Sequence, residues 1–397
     1  MNSPSLIPTI EDLVTRAEAL VPRLRTEAAA TERRRSVSPE IMRELFAQGL
    51  LRYFQPRRFG GWEMDWGAQY RIGRVLAHGC ASTAWVATIV GAHTCYAGRH
   101  TPQAQEDIWR DGPDVLIATG SVQKTGRAAK VPGGYRLNGA WGFASGVDHA
   151  AWGQVAVRMA GEPEVMQMLV PRQDFIIDDV WHVAGMKGTG TKDINVQDAF
   201  VPEHRAIRGP LFHGLNPPGA ALNKHYIYSM EFRPASGFSL LGPIIGTAEA
   251  ALDAYVAATR VKKAAIQGNR PADNPAVQMR LSESAAEINA AQLVAENQLA
   301  LLNRRGRAHE AFTEEERSAI TRDRAFAMRL CYSAVQRLVN QMGALGVFDD
   351  NPVQRCFRDL HVMGTQFGVA WDINMPAWGR WSLGLSDPMH APVPQHG

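Results

Sequence analysis

One stretch in this chain has the residue types and spacing to do chemistry, a serine behind an aromatic pair; a histidine in a charge-free stretch and an arginine before proline carry suitable side chains by type alone. The serine lies in Tyr135 to Trp152, YRLNGAWGFASGVDHAAW. Asn138-Gly139 is the dipeptide that best accepts the positive φ angles of a tight hairpin, so Tyr135 and Leu137 are expected on one strand and Trp141 and Phe143 on the next. Alternation then gives Trp141 and Phe143 one bulky face, with Gly142 and Ala144 between and after them. Ser145-Gly146 sets a hydroxyl and open backbone just past the strand, which makes a binding edge; a hairpin packed on its own core is the plain alternative. His93, in Gly91-Ala92-His93-Thr94, can accept or donate a proton near neutrality, as an ordinary histidine titrates near ~6.5. Its plain alternative is a core histidine bonded to backbone. Arg233, in Phe232-Arg233-Pro234, offers a guanidinium to an anion, or simply an exposed charge. Gly188-Thr189-Gly190-Thr191 is a weak phosphate-cradle signal, lacking the further glycine and the βαβ context of a dinucleotide site. No Glu-x-x-His pairs mark a di-metal helical oxygenase, so no metal site is expected.

The elements that must position these groups fall into three blocks. Leu13, Ala17, Leu20, Val21 and Leu24 repeat at helical spacing behind a Thr9/Asp12 capping box, and Ser38-Pro39-Glu40 opens a second helix that Gly49 ends. Arg57 to Gly61 reads as a loop, and helices resume near Asp65 and from Ser82 to Gly98. These make an all-helical domain over residues 1–113. From Val115 to about Arg208 turn dipeptides punctuate β-branched runs, among them Pro132-Gly133-Gly134 and Gly161-Glu162-Pro163, giving a β domain over residues 114–210. Over residues 222–397 helical patterns return. One starts at Gly246 and reaches Lys263, one is lined by Leu281, Ile288, Ala295 and Leu302, one opens on the Thr313/Glu316 capping box, and one follows Asn351-Pro352. Four such helices with short links form a bundle whose spare apolar surface suggests self-association.

Composition narrows the function. With 397 residues, 45% apolar, the chain can fill two or three cores, and a formal charge of +3 without basic runs argues against nucleic acid as a partner. Cys80, Cys95, Cys331 and Cys356 lie far apart with no CxxC pair, which with the absence of a signal-like N-terminus points to free thiols and a cytoplasmic protein. Ala81 to Gly98 lacks charge but carries Ser82, Thr83, Thr88, His93 and Thr94, so a buried helix is expected there and no membrane span.

The order NG, aromatic, small residue and serine in Asn138 to Ser145 resembles the middle-domain hairpin of the acyl-CoA dehydrogenase superfamily. Gly185 to Thr191, Val201-Pro202 and Gly246 to Asp253 resemble further motifs of that superfamily, nearly end to end. The ending Ser145-Gly146-Val147-Asp148-His149-Ala150 and the stretch Cys80 to Trp85 before His93 are similar to its two-component (group D) flavin-dependent monooxygenases, the group of the 4-hydroxyphenylacetate 3-hydroxylase oxygenase components. The resemblance implies an α+β fold of an N-terminal helical domain, a middle β-barrel and a C-terminal four-helix bundle, assembled as a homotetramer. It implies reduced flavin, FADH2 or FMNH2, as the cofactor, O2 as co-substrate and an aromatic small molecule as substrate. No nicotinamide fingerprint is present, so a separate NAD(P)H:flavin reductase is the implied partner.

By the same resemblance Ser145 and Phe143 meet the flavin ring, with Ser121, Trp141, Arg233, Arg260, Gln341 and Gly343 as further cofactor contacts. His93 meets the substrate hydroxyl, and Gly120, His361 and Gln366 complete the substrate side, with His93, Ser145 and Gln366 as the catalytic set. Two positions depart from the group. Gln366 stands where a late histidine is usual, and glutamine can orient water but not exchange protons. Gly120 stands where a phenol-binding serine is usual, which suggests a roomier pocket and favours an indole-type ring over a phenol. Within the fold the rival is an acyl-CoA dehydrogenase, whose base commonly precedes a Gly-Thr pair; here Met363 precedes Gly364-Thr365.

Overall fold

The computed structural model describes residues 7–159, 164–261 and 270–385. Five helices come first: α1 (Ile10–Arg34), α2 (Pro39–Ala47), α3 (Trp66–Ala77), α4 (Ala81–Arg99) and α5 (Pro102–Trp109). Their starts follow the expected chemistry. Thr9 and Asp12 close a reciprocal capping box on α1, Ser38 accepts from the Ile41 N–H with Pro39 at the first helical position, and Asp65 caps α3. α4 has almost no polar face and is buried nearly all round, as a helix apolar on every side must be.

Eight strands follow: β1 (Ile117–Gly120), β2 (Val122–Val131), β3 (Gly134–Ala144), β4 (Trp152–Arg158), β5 (Val165–Pro171), β6 (Phe175–Asp178), β7 (Lys192–Pro202) and β8 (Ala206–Arg208). They form two four-stranded sheets, β1-β4-β5-β8 and β2-β3-β7-β6, rather than one closed ladder. Trp141, Val155, Val157, Met168, Val170, Ile194 and Val196 from both sheets share one core, and the Ser121 N–H donates to the Gly142 carbonyl where the sheets meet, at 2.9 Å.

The organising hairpin differs from expectation. Its turn is Pro132-Gly133, joining β2 to β3, whereas Asn138-Gly139 sits inside β3 as a bulge. Asn138 Oδ1 accepts from the Asp198 N–H at 2.8 Å, and Gly139 holds φ 142° with the Thr125 carbonyl 1.9 Å from where a Cβ would stand. Only glycine fits there, so the dipeptide's tolerance of positive φ is used for a bulge in place of a turn.

The short helices α6 (Gly209–His213) and α7 (Phe232–Ser236) lead into α8 (Leu241–Val261), α9 (Pro275–Ala308), α10 (Glu314–Met342), α11 (Pro352–Met363) and α12 (Trp371–Ser382). Thr313 and Glu316 close the capping box on α10, and Asn351 caps α11. Among the described residues the bundle thus has three long helices and two of twelve residues, and α12, with Pro376 inside it and no side-chain cap, has no start signal to read. The expected end of α8 at Lys263 and the Gly161-Glu162-Pro163 turn lie outside the described residues. Among the described residues one stretch, Phe232–Val261, is long and apolar enough to cross a membrane, but 61% of its apolar window is buried inside the fold. Leu241, Ile244, Ile245, Ala248 and Ala251 there belong to the main core.

Candidate active site

Ser145 follows the last residue of β3 and is 8% exposed. The β3–β7 ladder slips between Trp141 and Ala144, and within the slip Phe143 takes φ 63°, a left-handed conformation that costs a non-glycine residue roughly 1–3 kcal/mol. The slip separates two rings that a regular strand would put on one face. Trp141 is fully buried between the sheets and its Nε1–H donates to the Ala156 carbonyl at 2.7 Å, while Phe143 is 52% exposed with Trp181 edge-on at 6.1 Å. Trp141 is therefore a core residue and not a cofactor contact; Phe143 carries the open ring, with Ser121 close by through the Val122–Gly142 pairing.

Behind Ser145 runs a row of hydroxyls. Its Oγ lies 2.8 Å from Thr191 Oγ1, which lies 2.6 Å from Thr189 Oγ1, and Thr189 donates to the Met186 carbonyl at 2.9 Å. Trp85 Nε1–H donates to Ser145 Oγ from α4 at 3.4 Å. Met186, at φ 53°, is pinned from the other side: its N–H donates to Asp359 Oδ1 on α11 at 2.5 Å. Gly185 lets that loop lie against α11, with the Arg358 carbonyl 2.1 Å from its missing Cβ. The Gly-Thr-Gly-Thr stretch is thus a hydroxyl support and not a phosphate cradle. Sequence reasoning passed over Thr189, Thr191 and Trp85, although the paired threonines between glycines were a visible signal.

His93 stands eight residues after Trp85 on α4, about 12 Å along the helix at 1.5 Å per residue. Its Nδ1 lies 2.7 Å from the Ile117 carbonyl. A carbonyl only accepts, so Nδ1 carries the proton. Burial pushes the ring's pKa down to about 4, partly countered by that bond, so near neutrality Nε2 keeps a free lone pair, with no partner of its own among the described residues. Every residue of α4 is buried except Ile89 and Tyr96, four before His93 and three after it. Trp85, Ile89, His93 and Tyr96 therefore share one face, and the only relief in its burial flanks the histidine. The Tyr96 ring lies 4.8 Å from those of His93 and Phe232 and 5.8 Å from that of Phe212, an aromatic wall beside the imidazole.

Gly120 does not face this opening. A Cβ there would stand 2.5 Å from Trp141 Cβ and 3.5 Å from Val155 Cγ1, inside the core between the sheets. Alternation turns its neighbour Thr119 to the α4 side, where the hydroxyl is buried without a partner. The expected link between Gly120 and a roomier pocket is overturned. Gln366 bends back on itself, its Oε1 accepting from the Gly368 N–H at 2.6 Å. His361 is exposed on α11 with the Tyr332 ring 5.8 Å away, and Arg233 is exposed on α7. Gln341 Oε1 accepts from Tyr255 on α8, five residues before exposed Arg260, and Gly343 follows at φ 60° in open space. Among the described residues no hydrogen bond, ion pair or ring contact joins Gln366, His361, Arg233, Arg260, Gln341 or Gly343 to Ser145 or His93. No three His, Cys, Asp or Glu side chains gather as a metal site among them either.

Two family models match the chain, acyl-CoA dehydrogenase, N-terminal domain over residues 11–109 and acyl-CoA dehydrogenase, C-terminal domain over residues 239–371. The oxygenase subunit HsaA of a flavin-dependent monooxygenase from Rhodococcus jostii is 36% identical over 356 residues, covering 87% of this chain and 91% of its own. The oxygenase component of an FADH(2)-dependent resorcinol hydroxylase from Rhizobium is 33% identical, covering 94% of both chains. The crystal structure of 3-HSA hydroxylase from Rhodococcus superposes with a TM-score of 0.89 at 32% identity, over 95% of this chain and 97% of that one. The chain belongs to the flavin-dependent monooxygenase oxygenase components built on the acyl-CoA dehydrogenase fold.

Proposed function

We propose that this protein is the oxygenase component of a two-component monooxygenase that takes reduced flavin, FADH2 or FMNH2, from a separate NAD(P)H:flavin reductase and uses O2 to hydroxylate a phenolic ring. The residues present fit such a cofactor. Phe143 offers an exposed ring beside Trp181, and Ser145 offers a hydroxyl held from behind, next to the Ser121 rim. Bound reduced flavin supplies the activated oxygen. The protein supplies position and a pocket with little water. Arg233, Arg260, Gln341 and Gly343 remain proposed contacts for the rest of the cofactor, on the resemblance alone.

The observation that carries the phenol reading is the fixed, neutral tautomer of His93. Its Nε2 lone pair accepts a hydrogen bond from a substrate O–H, which pushes electron density into the ring and holds the carbon ortho to the hydroxyl in place for attack. The names of relatives, a resorcinol hydroxylase and a p-hydroxyphenylacetate 3-hydroxylase, support a phenol. An indole N–H could meet the same lone pair, and one relative is named an indole-3-acetate monooxygenase; of the two departures behind that reading Gly120 no longer argues for it and Gln366 alone remains, so it falls to second place. The dehydrogenase alternative has no carboxylate at its common position, where buried Met363 stands before Gly364-Thr365, and would need a glutamate on another helix.

The test supplies reduced FAD or FMN under 18O2 with resorcinol, 4-hydroxyphenylacetate, indole and a medium-chain acyl-CoA in parallel. A phenol product carrying one 18O atom is expected. Flavin-linked reduction of an acceptor dye by the acyl-CoA, without oxygen incorporation into any ring, would overturn the reading.

A further inference from the structure

We infer that Thr191 and Thr189 are positioning residues that make the Ser145 hydroxyl an acceptor toward the N5–H of bound reduced flavin. The inference rests on the flavin reading above. Its basis is the direction that one carbonyl imposes on a row of hydroxyls.

Each hydroxyl has one proton to give. The Met186 carbonyl at the end of the row can only accept, so Thr189 spends its proton there, at 2.9 Å. Thr189 must then accept from Thr191 across the 2.6 Å contact, and Thr191, its proton used, must accept from Ser145 across 2.8 Å. Ser145 is left with lone pairs only. One of them receives the Trp85 indole N–H, and the other is open to a second N–H donor. A reduced flavin presents such a donor at N5, whereas an oxidised flavin has an unprotonated N5 that would need a donor opposite it. The row therefore favours the reduced form, and an acceptor on N5–H resists loss of that proton, the step that releases H2O2 instead of product.

The row is also well insulated. Thr189 and Thr191 are 2% and 5% exposed, so water has little chance to replace either hydroxyl and reverse the direction. The terminal carbonyl is itself fixed, because Trp181 Nε1–H also donates to it at 3.0 Å and Asp359 holds the Met186 N–H from α11. The direction of the Ser145 proton is thus set by the Met186 loop and by Asp359 on α11, behind the hydroxyl itself.

Thr191→Val keeps the shape and removes the hydroxyl, freeing Ser145 to turn its proton outward against N5–H. Flavin labelled with 15N at N5, reduced and held without oxygen, would be bound to the wild type and to Thr191→Val, Thr191→Ser, Thr189→Val and Ser145→Ala. The N5 and H5 chemical shifts and the dissociation constant would be read first, and then the H2O2 formed per O2 consumed with a phenol present. Thr191→Val should move the N5 and H5 shifts away from the wild-type values, as Ser145→Ala does, and lower the ratio of product to H2O2 by about tenfold, the scale of one hydrogen bond. Thr191→Ser should restore both. Thr189→Val, which removes the next acceptor in the row, should read the same way and stands in if Thr191→Val folds poorly. Wild-type shifts and coupling in both valine variants would overturn the relay while leaving the flavin reading intact. An N5 signal indifferent to Ser145→Ala would likewise overturn the relay alone, and failure of the wild type to bind reduced flavin would overturn both.

Discussion

Replacing His93 by Asn separates what holds this residue from what it does. The Asn amide nitrogen sits one bond from Cγ, as Nδ1 does, so it can keep the donation to the Ile117 carbonyl while the far ring nitrogen disappears. The size of the effect follows from burial. The gap between an ordinary histidine at 6.5 and about 4 here is worth about 3 kcal/mol against the imidazolium. On the proposed reading His93 would hold the substrate proton in a hydrogen bond and would not carry it off in the ground state. Loss of such a positioned acceptor typically lowers the assisted step by about a hundredfold or more, or about 3 kcal/mol in the barrier. With reduced flavin in excess, His93→Asn should consume O2 at close to the wild-type rate, yield about one-hundredth of the hydroxylated phenol and release the balance as H2O2. For the wild type, kcat/KM should be flat from pH 5 to 8 as far as His93 is concerned, with its acid limb near 4. An Asn variant that hydroxylates within twofold of wild type, or an acid limb at 6.5, would refute the reasoning.

Gly120→Ser should lower the unfolding free energy, read from urea titration, by about 1–3 kcal/mol through overpacking against Trp141, with an unchanged order of preferred substrates; a new preference without loss of stability would return Gly120 to the pocket. Acid should destabilise the fold: burial lowers His93 and His225 to about 4 and His100 and His213 to about 3. The unfolded chain takes up these protons near 6.5 and the folded one does not, so the stability is complete above 6.5 and is lost on going down toward 4, by at most about 1.4 kcal/mol per pH unit for each group. Asp359, raised by burial to about 6, works in the opposite sense and offsets one histidine between 6 and its unfolded value of 3.8; urea midpoints at pH 7, 6 and 5 that do not fall would contradict this.

Local rules were readable where one interaction decides. Thr9 with Asp12 and Thr313 with Glu316 form the capping boxes their spacing announces, because the side chain and the peptide it bonds lie within one helical turn. Asn138-Gly139 was legible as a place needing positive φ but not as bulge or turn, since that depends on Asp198 on β7, sixty residues away. Trp141 and Phe143 parted company for the same kind of reason, a ladder slip set by the partner strand. Gly120 shows the limit of transferring a position by motif: the residue can align while its Cβ direction points into the core. Thr189 and Thr191 matter only through Ser145 and Met186, contacts that no linear pattern encodes. α12 lacked any capping signal, so tertiary packing alone defines it.

The placement of Trp85 and His93 on a single buried helix makes α4 a ruler. One end is tied to the hydroxyl expected to meet the cofactor and the other carries the lone pair expected to meet the substrate. The span between them is a fixed number of helical turns that neither loop motion nor hinge bending can change. Inserting one residue between them would rotate His93 by about 100° off that face and end its registration with the opening. Diversification toward other rings must therefore come from the walls, Ile89, Tyr96, Phe212 and Phe232, while the gauge between oxygen source and target stays constant.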